Sequence, residues 1–69
     1  MSLTPVSSSN LAAVGYDAWS RVLVVAFHGD RVYEHYAVPS REYEGLLRAE
    51  SHGSYYARHI RNRYSYRRL

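Results

Sequence analysis

Between Arg21 and His28 the chain reads RVLVVAFH, and the six residues from Val22 to Phe27 are apolar without interruption. β-Branched side chains crowd a helical turn but pack well on a pleated surface, so a short run of this kind predicts a central β-strand. Gly29-Asp30 follows, a pair that tolerates positive φ, and Arg31 to Val38 resumes an extended pattern. The two arms predict a hairpin. On the second arm Tyr33, His35 and Ala37 share one face, and Val32, Glu34 and Tyr36 the other, because side chains alternate along a strand. Upstream, Leu11 to Tyr16 is another short apolar stretch, closed by a turn from Asp17 to Ser20 that carries Trp19. It reads as a first strand with Gly15 as the candidate bulge. Three strands in sequence predict an antiparallel meander.

Val38-Pro39 ends that pattern, since proline cannot donate to a ladder and holds its predecessor extended. Ser40 is then a candidate N-cap, and Glu42 and Glu44 fall near the positive end of the helix dipole. Tyr43, Leu46 and Leu47 recur at helical spacing, with Gly53 as the expected terminator. Ser54 can cap a second helix in which Tyr56, Ile60 and Tyr64 recur every four residues, which leaves Arg58, Arg61 and Asn62 toward solvent. An irregular basic arm is the alternative for this last segment. The expected architecture is α+β: a three-stranded antiparallel meander followed by two short helices packed on one face. Residues 1–69 form one domain, with 1–9, rich in Ser, Thr and Pro, as a loosely ordered lead-in. A chain of this length buries only about 60% of its unfolded surface, so the core is small.

Charge is distributed unevenly along this frame. Gly53 to Leu69 (GSYYARHIRNRYSYRRL) carries five arginines and no acid, whereas the preceding residues carry four arginines against six acids. The net +3 is thus −2 followed by +5. Every basic residue is Arg, whose planar guanidinium pairs bidentately with phosphate and stacks on rings. Of the eight tyrosines, Tyr55, Tyr56, Tyr64 and Tyr66 are interleaved with the arginines of this last segment. Charge and stacking together are what single-stranded nucleic acid requires, so the expected function is a non-catalytic RNA-binding module with a C-terminal Arg/Tyr-rich surface. The candidate residues are Arg58, Arg61, Arg63, Arg67, Arg68, Tyr55 and Tyr66. Tyr56 and Tyr64 fall on the packing side with Ile60. Tyr33 and His35 offer a second ring surface on the sheet. The competing assignment puts them in the core beneath the helices, and it is the preferred one for Tyr33.

Other chemistry finds little support. His28, His35, His52 and His59 lie seven, seventeen and seven apart, without the close spacing of a zinc site, although a hairpin could bring His28 and His35 together. No carboxylate pair shares a face, no serine sits in a Gly-flanked elbow, and no Gly-rich phosphate loop exists. The chain reads as no enzyme, with no cofactor and no metal. It has no cysteine and hence no disulfide. Its first residues lack a charged-then-apolar leader, and no apolar run approaches a membrane span, so a cytoplasmic protein is expected. Binding to a membrane surface ranks last, because the second helix offers Tyr and Ala rather than long aliphatics. The alternative function is a protein-protein interaction module, docking on a larger enzyme or self-associating, with Trp19 as its anchor.

Read in order, the motifs resemble the KTSC family, small domains that occur alone in bacteria and at the C-terminus of some lysyl-tRNA synthetases. The resemblance rests on Ser8-Ser9-Asn10, Val14-Gly15-Tyr16-Asp17, Leu23-Val24-Val25-Ala26-Phe27 with Gly29, and Val32-Tyr33-Glu34-His35-Tyr36-Ala37-Val38-Pro39. It continues through Tyr43-Glu44-Gly45-Leu46-Leu47, Ser51-His52-Gly53, Ile60 and Tyr64-Ser65-Tyr66-Arg67-Arg68-Leu69. Where the family has Tyr-x-Tyr ahead of Val-Pro, this chain has Tyr33-Glu34-His35, which keeps a ring and loses a phenol. Ser65 stands where proline often separates the closing tyrosines. The resemblance implies RNA as partner, with tRNA a candidate from the synthetase context, in a family of unknown function.

Overall fold

The computed structural model describes residues 2–69. Its order is β1 (Thr4–Pro5), β2 (Leu11–Asp17), β3 (Val22–Phe27), β4 (Arg31–His35), α1 (Ser40–Arg48), α2 (His52–Tyr55), a π-helical turn (Tyr56–Ile60) and β5 (Tyr66–Arg68). The class is α+β, as expected, but the antiparallel sheet has five strands in the order β1-β2-β3-β4-β5 rather than three. The two extra strands are short outer ones. Thr4–Pro5, within the stretch read as a loose lead-in, pairs with Val14 and Ala13. Tyr66–Arg68 returns after the helices to pair with Tyr33–His35.

The hairpin forms as its residues dictate. Leu23 pairs with His35 and Phe27 with Arg31, and the reversal uses Gly29 at φ 90° and Asp30 at φ 67°. The irregularity in β2 lies between Leu11 and Ala13, not at Gly15. It has a clear use. Leu11 and Val14 are three apart and would point to opposite faces of a regular strand, yet both are fully buried on the same one, opposite Phe27 and Val25. The turn after β2 is held by the Asp17 carboxylate, which accepts from the Trp19 N–H and the Ser20 hydroxyl, both at 3.0 Å. Trp19 itself stands free, 97% exposed.

Helix α1 starts one residue earlier than the predicted cap: Pro39 occupies the N-cap position and its carbonyl accepts from the Glu42 N–H at 3.0 Å. It ends at Ala49 in extended backbone, well before Gly53. The nearby carbonyl of Leu46 is taken by His52 Nδ1 at 2.8 Å. The second helix is capped by Ser51, whose hydroxyl accepts from the Ser54 N–H at 3.2 Å, so Ser54 lies inside the helix it was expected to cap. Leu46, Tyr56 and Ile60 close over Leu11, Val14, Leu23, Val25 and Val38 to make the core. Val38 reaches it because Ala37 adopts φ 56°. The Tyr16 hydroxyl donates to the Val38 carbonyl, and the Tyr16 ring stacks on Tyr43 of α1 at 5.1 Å. Among the described residues no helix is long and apolar enough to cross a membrane.

Candidate nucleic-acid interface

The second helical segment changes pitch at Tyr56. The Arg61 N–H donates to the Tyr56 carbonyl at 2.9 Å, five residues back, which is the bond of a π turn. Five residues advance about 500° around an α-helix, which would leave Arg61 about 140° away from Tyr56 and facing solvent. The wider turn stacks Arg61 nearly over Tyr56 instead. That is why Arg61, exposed as its spacing predicts, also lines the groove beside Tyr56.

Between this helical wall and the ends of β3, β4 and β5 lies an open groove of about 520 Å³, lined among others by Phe27, Arg31, Tyr33, Tyr56, Arg61 and Tyr66. Its rings form a continuous edge-to-face chain: Tyr56 to Phe27 at 5.2 Å, Phe27 to Tyr33 at 5.7 Å, and Tyr33 to Tyr66 at 5.6 Å. Such contacts each contribute about 0.5–1.5 kcal/mol beyond burial and fix ring orientation. The guanidinium of Arg31 lies over the Phe27 ring, 5.4 Å from its centroid, so the cation is held at the groove rather than swinging free.

His35 lies beneath this surface, fully buried. Its Nε2 is 2.8 Å from the Tyr56 hydroxyl and its Nδ1 is 3.4 Å from the Tyr64 carbonyl. A carbonyl only accepts, so Nδ1 carries the proton and the Tyr56 hydroxyl donates to Nε2. Burial lowers the His35 pKa below the ordinary imidazole value and raises that of Tyr56 to about 12. Neutral His35 is therefore the support of the groove floor and no part of its surface. Tyr33, in contrast to its preferred core assignment, is half-buried and lines the groove.

The remaining candidates divide. Tyr66, 57% exposed, lines the groove, and Arg68 pairs with Tyr33, which places it on the same face of the sheet. Arg67 lies on the opposite face beside Glu34, at 3.5 Å. Arg63 lies 3.8 Å from Glu42, and Tyr55 donates to the same carboxylate at 2.7 Å, so both are turned toward α1. Arg58 is exposed and stands outside the groove. The basic tail is thus split among three surfaces, and one of them carries the rings. Phe27 and Arg31 are the residues that the charge pattern misses. Register finds them: a three-residue reversal at His28, Gly29 and Asp30 sets Phe27 opposite Arg31, on the face of Tyr33. The same register puts His28 and His35 at opposite ends of the hairpin, so they cannot share an ion, and the exposed His28 bonds the Ser8 carbonyl at 3.1 Å instead. Among the described residues no group of three or more His, Cys, Asp or Glu could hold a metal.

The model of the KTSC domain matches residues 7–64. The chain belongs to the KTSC domain family. A protein of Tsukamurella paurometabola is 40% identical over 53 residues, spanning 77% of this chain and 79% of that protein. The crystal structure of a KTSC domain protein from Yersinia pestis superposes with a TM-score of 0.96 at 29% identity, covering 99% of this chain and 96% of that one. The groove of this KTSC domain takes Phe27, Arg31, Tyr33, Tyr56 and Arg61 from within the family match and Tyr66 from beyond it.

Proposed function

We propose that this KTSC domain is a non-catalytic, cytoplasmic RNA-binding module that holds unpaired RNA, tRNA among the candidates, in the aromatic groove. One observation carries the reading. Arg31 and Arg61, from the hairpin and the π turn, flank a single chain of rings, whereas the ion pairs of Arg63 and Arg67 engage those cations elsewhere. Guanidinium groups neutralise phosphates and the rings stack on bases, with Tyr66 the most exposed of them. Fluorescence anisotropy with labelled single-stranded RNA tests it. Micromolar or tighter binding is expected at low salt. Arg31→Ser with Arg61→Ser should flatten the slope of log K against log salt by about 1.4, two phosphates at about 0.7 each. Tyr66→Ala should weaken binding about fivefold, the low end of one base stack. Arg58→Ser should change neither. The reading fails if nothing binds at low salt, or if Arg58 matters as much as Arg31 and Arg61.

A second reading, self-association, is favoured by a different surface. The face of the sheet away from the helices presents Ala13, Val22, Ala26 and Val32, with fully exposed Trp19 at the adjoining turn. Trp19 is the sole tryptophan, so its emission reports on this surface alone. A blue shift as concentration rises, accompanied by faster sedimentation, is expected on this reading. Emission and sedimentation that stay constant would end it.

A further inference from the structure

We propose that the groove takes one unpaired nucleotide at a time and selects adenine. This deepens the RNA reading and rests on it. Two amides line the groove along with the rings and cations: Asn10, just before β2, and Asn62, just after the π turn. Both are exposed, and neither side chain makes a hydrogen bond within the described residues. Asn10 is nevertheless well placed. Its N–H donates to the Ser8 hydroxyl at 3.2 Å and its carbonyl accepts from the His28 N–H at 3.1 Å, so the backbone is held while the amide stays available. The amide lies against Gly53 so closely that a Cβ there would come within 3.1 Å of Nδ2.

The two amides stand at the two ends of the helical wall, Asn10 beside Gly53 of α2 and Asn62 just past the π turn. A flat base seated between them would meet one amide on each of two edges. An asparagine amide offers one donor and one acceptor side by side, and it matches a base edge that presents the complementary pair. Adenine alone presents such a pair on both its Watson–Crick and its Hoogsteen edge, its amino group being flanked by an acceptor nitrogen on either side. Guanine has two acceptors on its Hoogsteen edge, and a pyrimidine has only one edge of this kind. The arginines do not compete for the base, because Arg31 is held over Phe27 and both serve phosphate.

Hexauridylate, and the same hexamer with a single adenosine, guanosine or cytidine at its third position, would be compared by fluorescence anisotropy at one salt concentration. The adenosine hexamer should bind about tenfold more tightly than the other three, the discrimination expected of good amide-base pairing. Asn10→Ala with Asn62→Ala should abolish that preference, so that the adenosine hexamer binds the variant no more tightly than hexauridylate does, whereas Arg58→Ala, outside the groove, should leave it intact. Should the double variant melt early, Asn62→Ala alone should reduce the preference. Four hexamers that bind equally, or a preference that survives the loss of both amides, would overturn adenine selection and leave the RNA reading standing. Absence of binding by all four at low salt would overturn both.

Discussion

Ile60→Ala is expected to destabilise the domain by about 2–5 kcal/mol. Ile60 is fully buried, closes the π turn, and among the described residues belongs to a core cluster of eight with Leu11, Val14, Leu23 and Val25 of the sheet. A domain of this length has a total stability of about 3–10 kcal/mol, so a single cavity removes a large part of it. Ile60→Val, which keeps the branch at Cβ, should cost about 0.5–1.5 kcal/mol, and Arg58→Ala, exposed on the same turn, less than about 0.5. Urea unfolding followed by circular dichroism measures all three. A cost below about 1 kcal/mol for Ile60→Ala would mean that the π turn does not seat its last residue in the core, and the placement of Arg61 over the groove would lose its support.

Glu42→Ala comes next in size. The Glu42 carboxylate accepts from the Tyr55 hydroxyl at 2.7 Å and from the Tyr64 hydroxyl at 2.9 Å, with Arg63 at 3.8 Å, so one side chain of α1 gathers three residues of the C-terminal segment. Hydrogen bonds to an ionised group contribute about 1.5–3 kcal/mol each. The freed phenols are only partly buried and recover water, so the expected loss is about 3 kcal/mol. Glu42→Gln keeps the volume and gives up the charge, and about 1 kcal/mol should be lost. Burial pushes the Glu42 pKa up, but the two hydroxyls and Arg63 outweigh it, and the carboxyl is held below its ordinary 4.5. A carboxylate whose pKa is depressed by folding contributes stability above its unfolded value, and that contribution disappears as pH falls through the folded value. Acid should therefore destabilise the wild type below about pH 4.5, and the Gln variant should show a flatter acid limb. Equal acid limbs would place the acid sensitivity elsewhere.

The central hairpin was legible because each local signal agreed with the rest: an unbroken β-branched run, a reversal at Gly29-Asp30, and alternation through His35. The outer strands were not. Pro5 cannot donate to a ladder, and Tyr66-Arg67-Arg68 shows no apolar alternation. Each is extended because an open strand edge waits beside it, a circumstance set by tertiary structure alone. The groove fell between these cases. Alternation put Tyr33 and His35 on one face correctly, but which of the two would be covered depended on where the helices lie. Spacing puts Arg61 toward solvent, where it is exposed, but a period of 3.6 residues carried across the π turn hides its place beside the groove.

The two outer strands have a consequence for how molecules meet in a crowded cell. A sheet boundary with free amides and carbonyls invites another chain to add as a further strand, which is the first step toward fibres. At one side of this sheet the outermost strand is only Thr4 and Pro5, and the proline supplies no amide hydrogen. At the other, β5 is three residues long and carries Arg67 and Arg68, so a second copy would bring like charges together. Two residues on one side and three on the other thus leave short outer strands, each with a feature that disfavours the addition of a further chain to a sheet whose centre is strongly β-forming.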